Sequence, residues 1–162
     1  MGRWRPPPPK SSPYITPAGF ESLKQELDEI WVRRRDVVKA LSEAAAEGDR
    51  SENAEYIYRK KELAGIDRRI RYLQKRLPKL KVVREQPQTD AVYFGATVEV
   101  LDDAGNSNTY RIVGPDESDS GTGHISVDSP VARALLGKRL DDEVTVAIDS
   151  AQKLLCVVSI RY

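Results

Sequence analysis

Two rows of apolar residues at alternating spacings of three and four, parted by a short polar stretch, limit this chain more than any other feature. The first row is Phe20, Leu23, Leu27, Ile30, Val37, Leu41 and Ala44, with Arg34 as its polar break. The second is Tyr56, Leu63, Ile66, Ile70, Leu73 and Leu77, broken at Arg59. Residues three and four apart stack on one helix face, so each row is a coiled-coil seam. Thr16-Pro17 reads as an N-cap followed by proline at the first helical position, and Gly48 suits the first helix's end. Pro78 should end or kink the second helix. With so few residues between them, the helices must fold back antiparallel. Arms of roughly 30 residues give a rod on the order of 40–45 Å long.

Beyond this hairpin the period changes to two. Candidate strands are Ala96–Leu101, Asn108–Val113, His124–Val127, Glu143–Ile148 and Leu154–Ile160, with turn clusters between them and one short helix, Pro130 to Leu136, closed by Gly137. The expected fold class is α+β: an N-terminal antiparallel coiled-coil hairpin followed by a small α+β domain. The expected boundaries are a proline-rich leader without a core at 1–13, the hairpin at 14–80, a linker at 81–92 around Gln86-Pro87-Gln88, and the globular domain at 93–162. Cys156 is the single cysteine, which excludes an internal disulfide and a cysteine metal cluster. It lies in the apolar run Leu154–Val158 and is expected in the core. No apolar run is long enough for a membrane span. The opening, Met1 to Pro9, resembles no export signal, so a reduced, cytoplasmic setting is expected.

The net charge of +1 hides an asymmetry. Residues 1–89 hold 20 Lys and Arg against 13 Asp and Glu, a balance of +7; residues 90–162 hold 6 against 12, a balance of −6. Two modules with different partners are implied: nucleic acid for the basic half and a protein for the acidic half.

Three places invite a functional reading, each beside a plainer one. At the tip, Gly48-Asp49-Arg50-Ser51-Glu52-Asn53-Ala54-Glu55-Tyr56, Asp49 can cap the second helix with Glu52 three positions on, a variant capping box. Alternatively, Asp49 and Glu52 share one hard cation; Mg²⁺ prefers oxygen ligands, and two side chains would need further ligands from a partner. On the second arm, Arg59, Lys60, Lys61, Arg68, Arg69, Arg71, Lys75 and Arg76 face only Glu62 and Asp67. They form either a solvated coiled-coil face or a phosphate-binding one, and the excess of charge favours phosphate. In the second half, Asp128-Ser129-Pro130 reads as a cap and first helical proline. His124, the only histidine, has no cysteine or second histidine to join it and reads as structural.

These residues carry a resemblance to a known family. The tip at 48–56 resembles that of the Gre transcript-cleavage factors, and Ile125 to Gly137 looks like the family's second signature. The similarity runs from about Tyr14 to Tyr162. Arg50 and the run Ile66 to Leu73 look like the GreB branch. The resemblance implies a second domain similar to the FK506-binding fold, and entry of the rod into the secondary channel of bacterial RNA polymerase, where backtracked nascent RNA extrudes its 3′ end. It implies that Asp49 and Glu52 help hold a Mg²⁺ shared with the polymerase active site, with no cofactor of the chain's own. Ser51 and Asn53 would position RNA or water. Arg59, Lys60, Arg68, Arg69, Arg71 and Lys75 would contact RNA, and Asp128, Ser129 and Pro130 would dock on polymerase. Polymerase remains the enzyme, no membrane is involved, and a monomer is expected. Tyr56 could stack on an extruded base or pack against Ala44. Two rivals stay open: a Gre-like relative that enters the channel and inhibits, and a peptidyl-prolyl isomerase or chaperone suggested by the second domain's fold. With only Tyr93, Phe94, Tyr110 and Tyr162 as aromatics, that domain is poorly supplied for an apolar proline pocket.

Overall fold

The computed structural model describes residues 10–49, 52–84 and 90–162. These fall into two compact units, one spanning Ala18–Leu80 and the other combining the N-terminal residues to Pro17 with Lys81–Tyr162.

The first unit is the hairpin. Helix α1 spans Pro17–Ala46 and α2 spans Ala54–Arg76. The seams meet as their spacing requires. Val37, Ile66 and Ile70 form a buried cluster with Leu27, Ile30 and Leu63 packed against it. Cross-hairpin partners run in opposite senses along the two helices: Glu26 with Arg69, Arg33 with Glu62, Ala44 with Asn53. The polar break at Arg34 is an ion pair across the seam, its Nε donating to Asp67 at 2.7 Å. Such part-exposed pairs contribute at most about 1 kcal/mol each, so they set register more than stability. Pro78 acts as expected: α2 stops at Arg76, and Leu77–Lys79 tightens into a 3₁₀ turn.

The second unit is a five-stranded sheet, with β3 (Thr97–Asp102), β4 (Ser107–Val113), β5 (His124–Ser126), β6 (Glu143–Ile148) and β7 (Ala151–Arg161) in the order β5-β4-β3-β7-β6. Only β4–β5 is parallel. Alternation puts Val98, Val100, Val144, Val146, Leu155 and Val157 into one core, which the short helix α3 (Pro130–Leu135) covers with Ala132 and Leu135. The same alternation corrects the expectation for Cys156: between inward Leu155 and Val157, it is half-buried and outside that core. The turn between β6 and β7 is shorter than the gap between the two candidate strands, Glu143–Ile148 and Leu154–Ile160. Ile148 pairs with Ala151 across Asp149 (φ 50) and Ser150 (φ 65), a two-residue turn with both central residues left-handed, which suits hairpin twist.

The ends of the hairpin join this sheet unit. Strand β1 (Tyr14–Ile15) pairs in parallel with β2 (Lys81–Val82). Lys81 donates its amide to the Pro13 carbonyl at 2.7 Å, Val83 donates to Ile15 at 2.9 Å, and Ile15 is fully buried. Thr16 donates its amide (3.0 Å) and its hydroxyl to Glu117, while Ser12 donates its amide (2.8 Å) and its hydroxyl to Asp128. Ser12 and Pro13, expected in a coreless leader, and Lys81 to Val83, expected in a linker, are therefore tied by hydrogen bonds into the globular unit. Ala91 and Val92, also placed in the linker, are buried. Residues 1–9 of the expected leader and the Gln86-Pro87-Gln88 centre lie outside the described residues.

The strap is possible because Gly114 has no side chain. A Cβ there would stand 2.0 Å from the Tyr14 carbonyl oxygen. Gly114→Ala should push the strap off its seat and destabilise the globular unit by about 1–3 kcal/mol. Thermal unfolding checks this, and an unchanged melting temperature would mean the strap is not seated as described.

Candidate functional site

At the hairpin tip the cap of α2 is Asn53, not Asp49 as the capping-box reading expected. The Asn53 Oδ1 accepts the Tyr56 amide at 3.0 Å, and its Nδ2 donates to the Ala44 carbonyl at 2.7 Å. Aspartate caps as well as asparagine but has no N–H to donate. Asparagine at 53 therefore satisfies the start of α2 and a carbonyl in the last turn of α1 at once. Asp49 and Glu52 are both exposed beside it. Ser51, with Arg50, lies outside the described residues. Tyr56 is half-buried, with Lys60 Nζ 6.0 Å from its ring centroid. Sequence spacing passed over Tyr58, which stands off the seam. Among the described residues it is the most exposed of the large apolar side chains, at 61%, with the Arg59 guanidinium over its ring.

No group of three or more His, Cys, Asp or Glu side chains that could hold a metal gathers among the described residues. The tip offers two carboxylates, hard donors that suit Mg²⁺ but too few to hold it alone.

The basic arm divides into paired and unpaired cations. Arg59 donates to Glu55 at 2.7 Å and to Glu62 at 3.0 Å, and the Glu55 and then the Glu62 hydrogen bond raise its pKa. The hydrogen bond from Arg33 is the largest influence holding the Glu62 carboxyl below its ordinary range; partial desolvation opposes it, and Arg59 adds to it. Arg69 forms a bidentate pair with Glu26 at 2.7 and 2.9 Å and lies over the Tyr72 ring. Arg59 and Arg69 are thus committed to structural pairs. Arg68, Arg71 and Lys75 are exposed, and none makes an ion pair among the described residues. At positions i, i+3 and i+7 they share one face, and Lys61, seven residues before Arg68, extends the stripe toward the tip. Near its far end Arg71, Tyr72, Lys75, Arg76 and Lys79 line an open groove of about 340 Å³.

In the globular unit Ser129 is the cap of α3, accepting the Ala132 amide at 3.2 Å, and Pro130 follows it exposed. Asp128 is half-buried and held by Ser12. His124 lies on β5, half-buried, its backbone exchanging hydrogen bonds with Asp119.

Comparison with known proteins covers the whole of this architecture. Residues 13–82 match the family model described as transcription elongation factor, N-terminal, and residues 86–162 match that of transcription elongation factor, GreA/GreB, C-term. Transcription elongation factor GreB of Xanthomonas axonopodis pv. citri is 59% identical over 166 residues, covering 100% of this chain and 98% of that protein. GreB of Pseudomonas aeruginosa is 56% identical over 164 residues, with the same coverage of 100% and 98%. Among solved structures, Thermus aquaticus Gfh1 is 28% identical, covers 94% of this chain and 100% of its own, and aligns with a TM-score of 0.44.

Proposed function

The chain belongs to the GreA/GreB family of transcription elongation factors, in its GreB branch, and on that premise we propose how its parts divide the work. It is a transcript-cleavage elongation factor acting on RNA polymerase, and the intrinsic cleavage activity is polymerase's own. In our reading the hairpin enters the secondary channel tip first, as a monomer, in the cytoplasm. Asp49 and Glu52 would complete a site for a Mg²⁺ shared with the polymerase active site, which when bound supplies charge neutralisation and an activated water for phosphodiester hydrolysis. The same carboxylates accept hydrogen bonds from the attacking water and orient it. Asn53 keeps the loop in shape between the helices and is a positioning residue. Lys61, Arg68, Arg71 and Lys75 neutralise phosphates of the extruded RNA 3′ segment, a contact that is electrostatic and independent of sequence. Asp128, Ser129 and Pro130 dock the acidic globular unit, whose charge speeds encounter with a basic rim.

The observation that carries this reading is at the tip. Asn53, not Asp49, supplies the cap of α2, and Asp49 and Glu52 are both exposed at the end of the hairpin. The test is addition of the protein to a stalled, backtracked complex. Shortened RNA whose new 3′ end polymerase can extend is expected. Uncleaved RNA with blocked extension would favour an inhibitory relative. Proline isomerisation by the protein, in place of cleavage, would favour the isomerase.

A further inference from the structure

We propose that Ser12 is a positioning residue for polymerase docking, holding the Asp128 carboxylate in the orientation that the partner meets. This rests on the docking role of Asp128 proposed above. Ser12 reaches both carboxylate oxygens, its amide donating to Oδ2 at 2.8 Å and its hydroxyl to Oδ1. Two donors from one residue fix the plane of a carboxylate that would otherwise rotate about its side-chain bonds, so less freedom is lost when a partner binds. The loop beneath is fixed as well. The Asp128 amide donates to Ser126 Oγ at 3.1 Å, the Ser129 amide to the Ser126 carbonyl at 2.9 Å, and Ser129 caps α3. Asp128 is thus gripped from its own backbone and from a segment 116 residues earlier in the chain.

The strap that brings Ser12 there is also held at four other residues. Pro13 is held by Lys81, Ile15 is fully buried, Thr16 is held by Glu117, and Gly114 admits the Tyr14 carbonyl. Ser12→Ala should therefore leave the strap in place, keep the amide contact and remove only the hydroxyl. Ser12→Thr restores a hydroxyl.

The readout is cleavage of a backtracked complex as full-length factor is titrated, for Ser12→Ala, Ser12→Thr, Asp128→Asn and the Ser12→Ala/Asp128→Asn double variant, with melting temperature as control. Ser12→Ala should raise the half-saturating concentration about tenfold, as loss of one hydrogen bond to a charged group would. The rate at saturation should be unchanged. Ser12→Thr should restore the half-saturation, and the double variant should be no worse than Asp128→Asn alone, because Ser12 acts through Asp128. If Asp128→Asn shifts the half-saturation and Ser12→Ala does not, or if the two effects add, the inference falls and the docking role stands. Tighter half-saturation for Ser12→Ala would mean that the strap masks Asp128, which also overturns it. If Asp128→Asn itself changes nothing, the docking reading falls and takes the inference with it.

Discussion

A Glu52→Gln variant is expected to fold and to bind polymerase normally, and to lose about 10–100-fold of its stimulation of cleavage, the range typical when a group supporting a metal site is removed. The substitution keeps size and hydrogen-bonding capacity and removes the charge. Stability should hardly change, because Glu52 is exposed and the cap of α2 belongs to Asn53. Asp49→Asn should behave alike. Raising Mg²⁺ should recover part of the loss in both, since a weakened site fills again at higher concentration. Asn53→Ala is the contrasting control. It removes the cap and the bond to the Ala44 carbonyl, should destabilise the hairpin by about 1–2 kcal/mol, and should lose activity in step with melting temperature rather than with Mg²⁺. Near-normal cleavage by Glu52→Gln and Asp49→Asn at limiting Mg²⁺ would remove the acids from the chemistry.

The second large effect is expected on the basic arm. Replacing Arg68, Arg71 and Lys75 by Gln removes three exposed cations at nearly constant helix propensity. Counted along the helix from Asn53, the stripe runs from roughly 12 Å at Lys61 to roughly 33 Å at Lys75. On the RNA contact proposed above, a short extruded tail would meet only its beginning and a longer one all of it. Cleavage of deeply backtracked complexes should therefore fall more than cleavage of shallow ones. The dependence of log affinity on log salt should flatten by about 2, at roughly 0.7 per phosphate contact with single strands. Arg69→Gln should act differently. Arg69 is spent on Glu26, so the change should cost a little hairpin stability and show no preference for tail length. Equal losses on short and long tails for the triple variant would assign the stripe to general docking.

The hairpin was legible because its signal is periodic. A seam of residues three and four apart has one helical solution, and even its polar break at Arg34 became an ion pair across the same seam. The central strands were legible through period two, to within a residue or so at most ends. The tip cap was not. Asp49 and Asn53 are equally good caps by residue type, and the choice turned on the Ala44 carbonyl, a partner nine residues away that no local pattern marks. The division of the basic arm was hidden for a similar reason. Arg68 and Arg69 look alike in sequence, and only the position of Glu26 on the other helix separates them. The strap was invisible because two-residue strands have no period, and Ser12, which lies in it, was read as part of a coreless leader. The tip acids and the Asp128–Pro130 loop stood out by resemblance, while the residue holding that loop did not.

The β1–β2 pairing has one more consequence. Its two strands flank the hairpin in sequence, so the sheet unit is a discontinuous domain and the rod is an insertion within it. Pairing Ile15 with Val82 through an unfolded intervening segment means closing a loop of more than 60 residues. Once α1 and α2 have zipped together, the open chain left to close is only a few residues long. At about 0.6 kcal/mol per halving of loop length, that lowers the entropic cost by roughly 2 kcal/mol. The part proposed to reach for the transcript would then also serve as the clasp that lets its host domain knit.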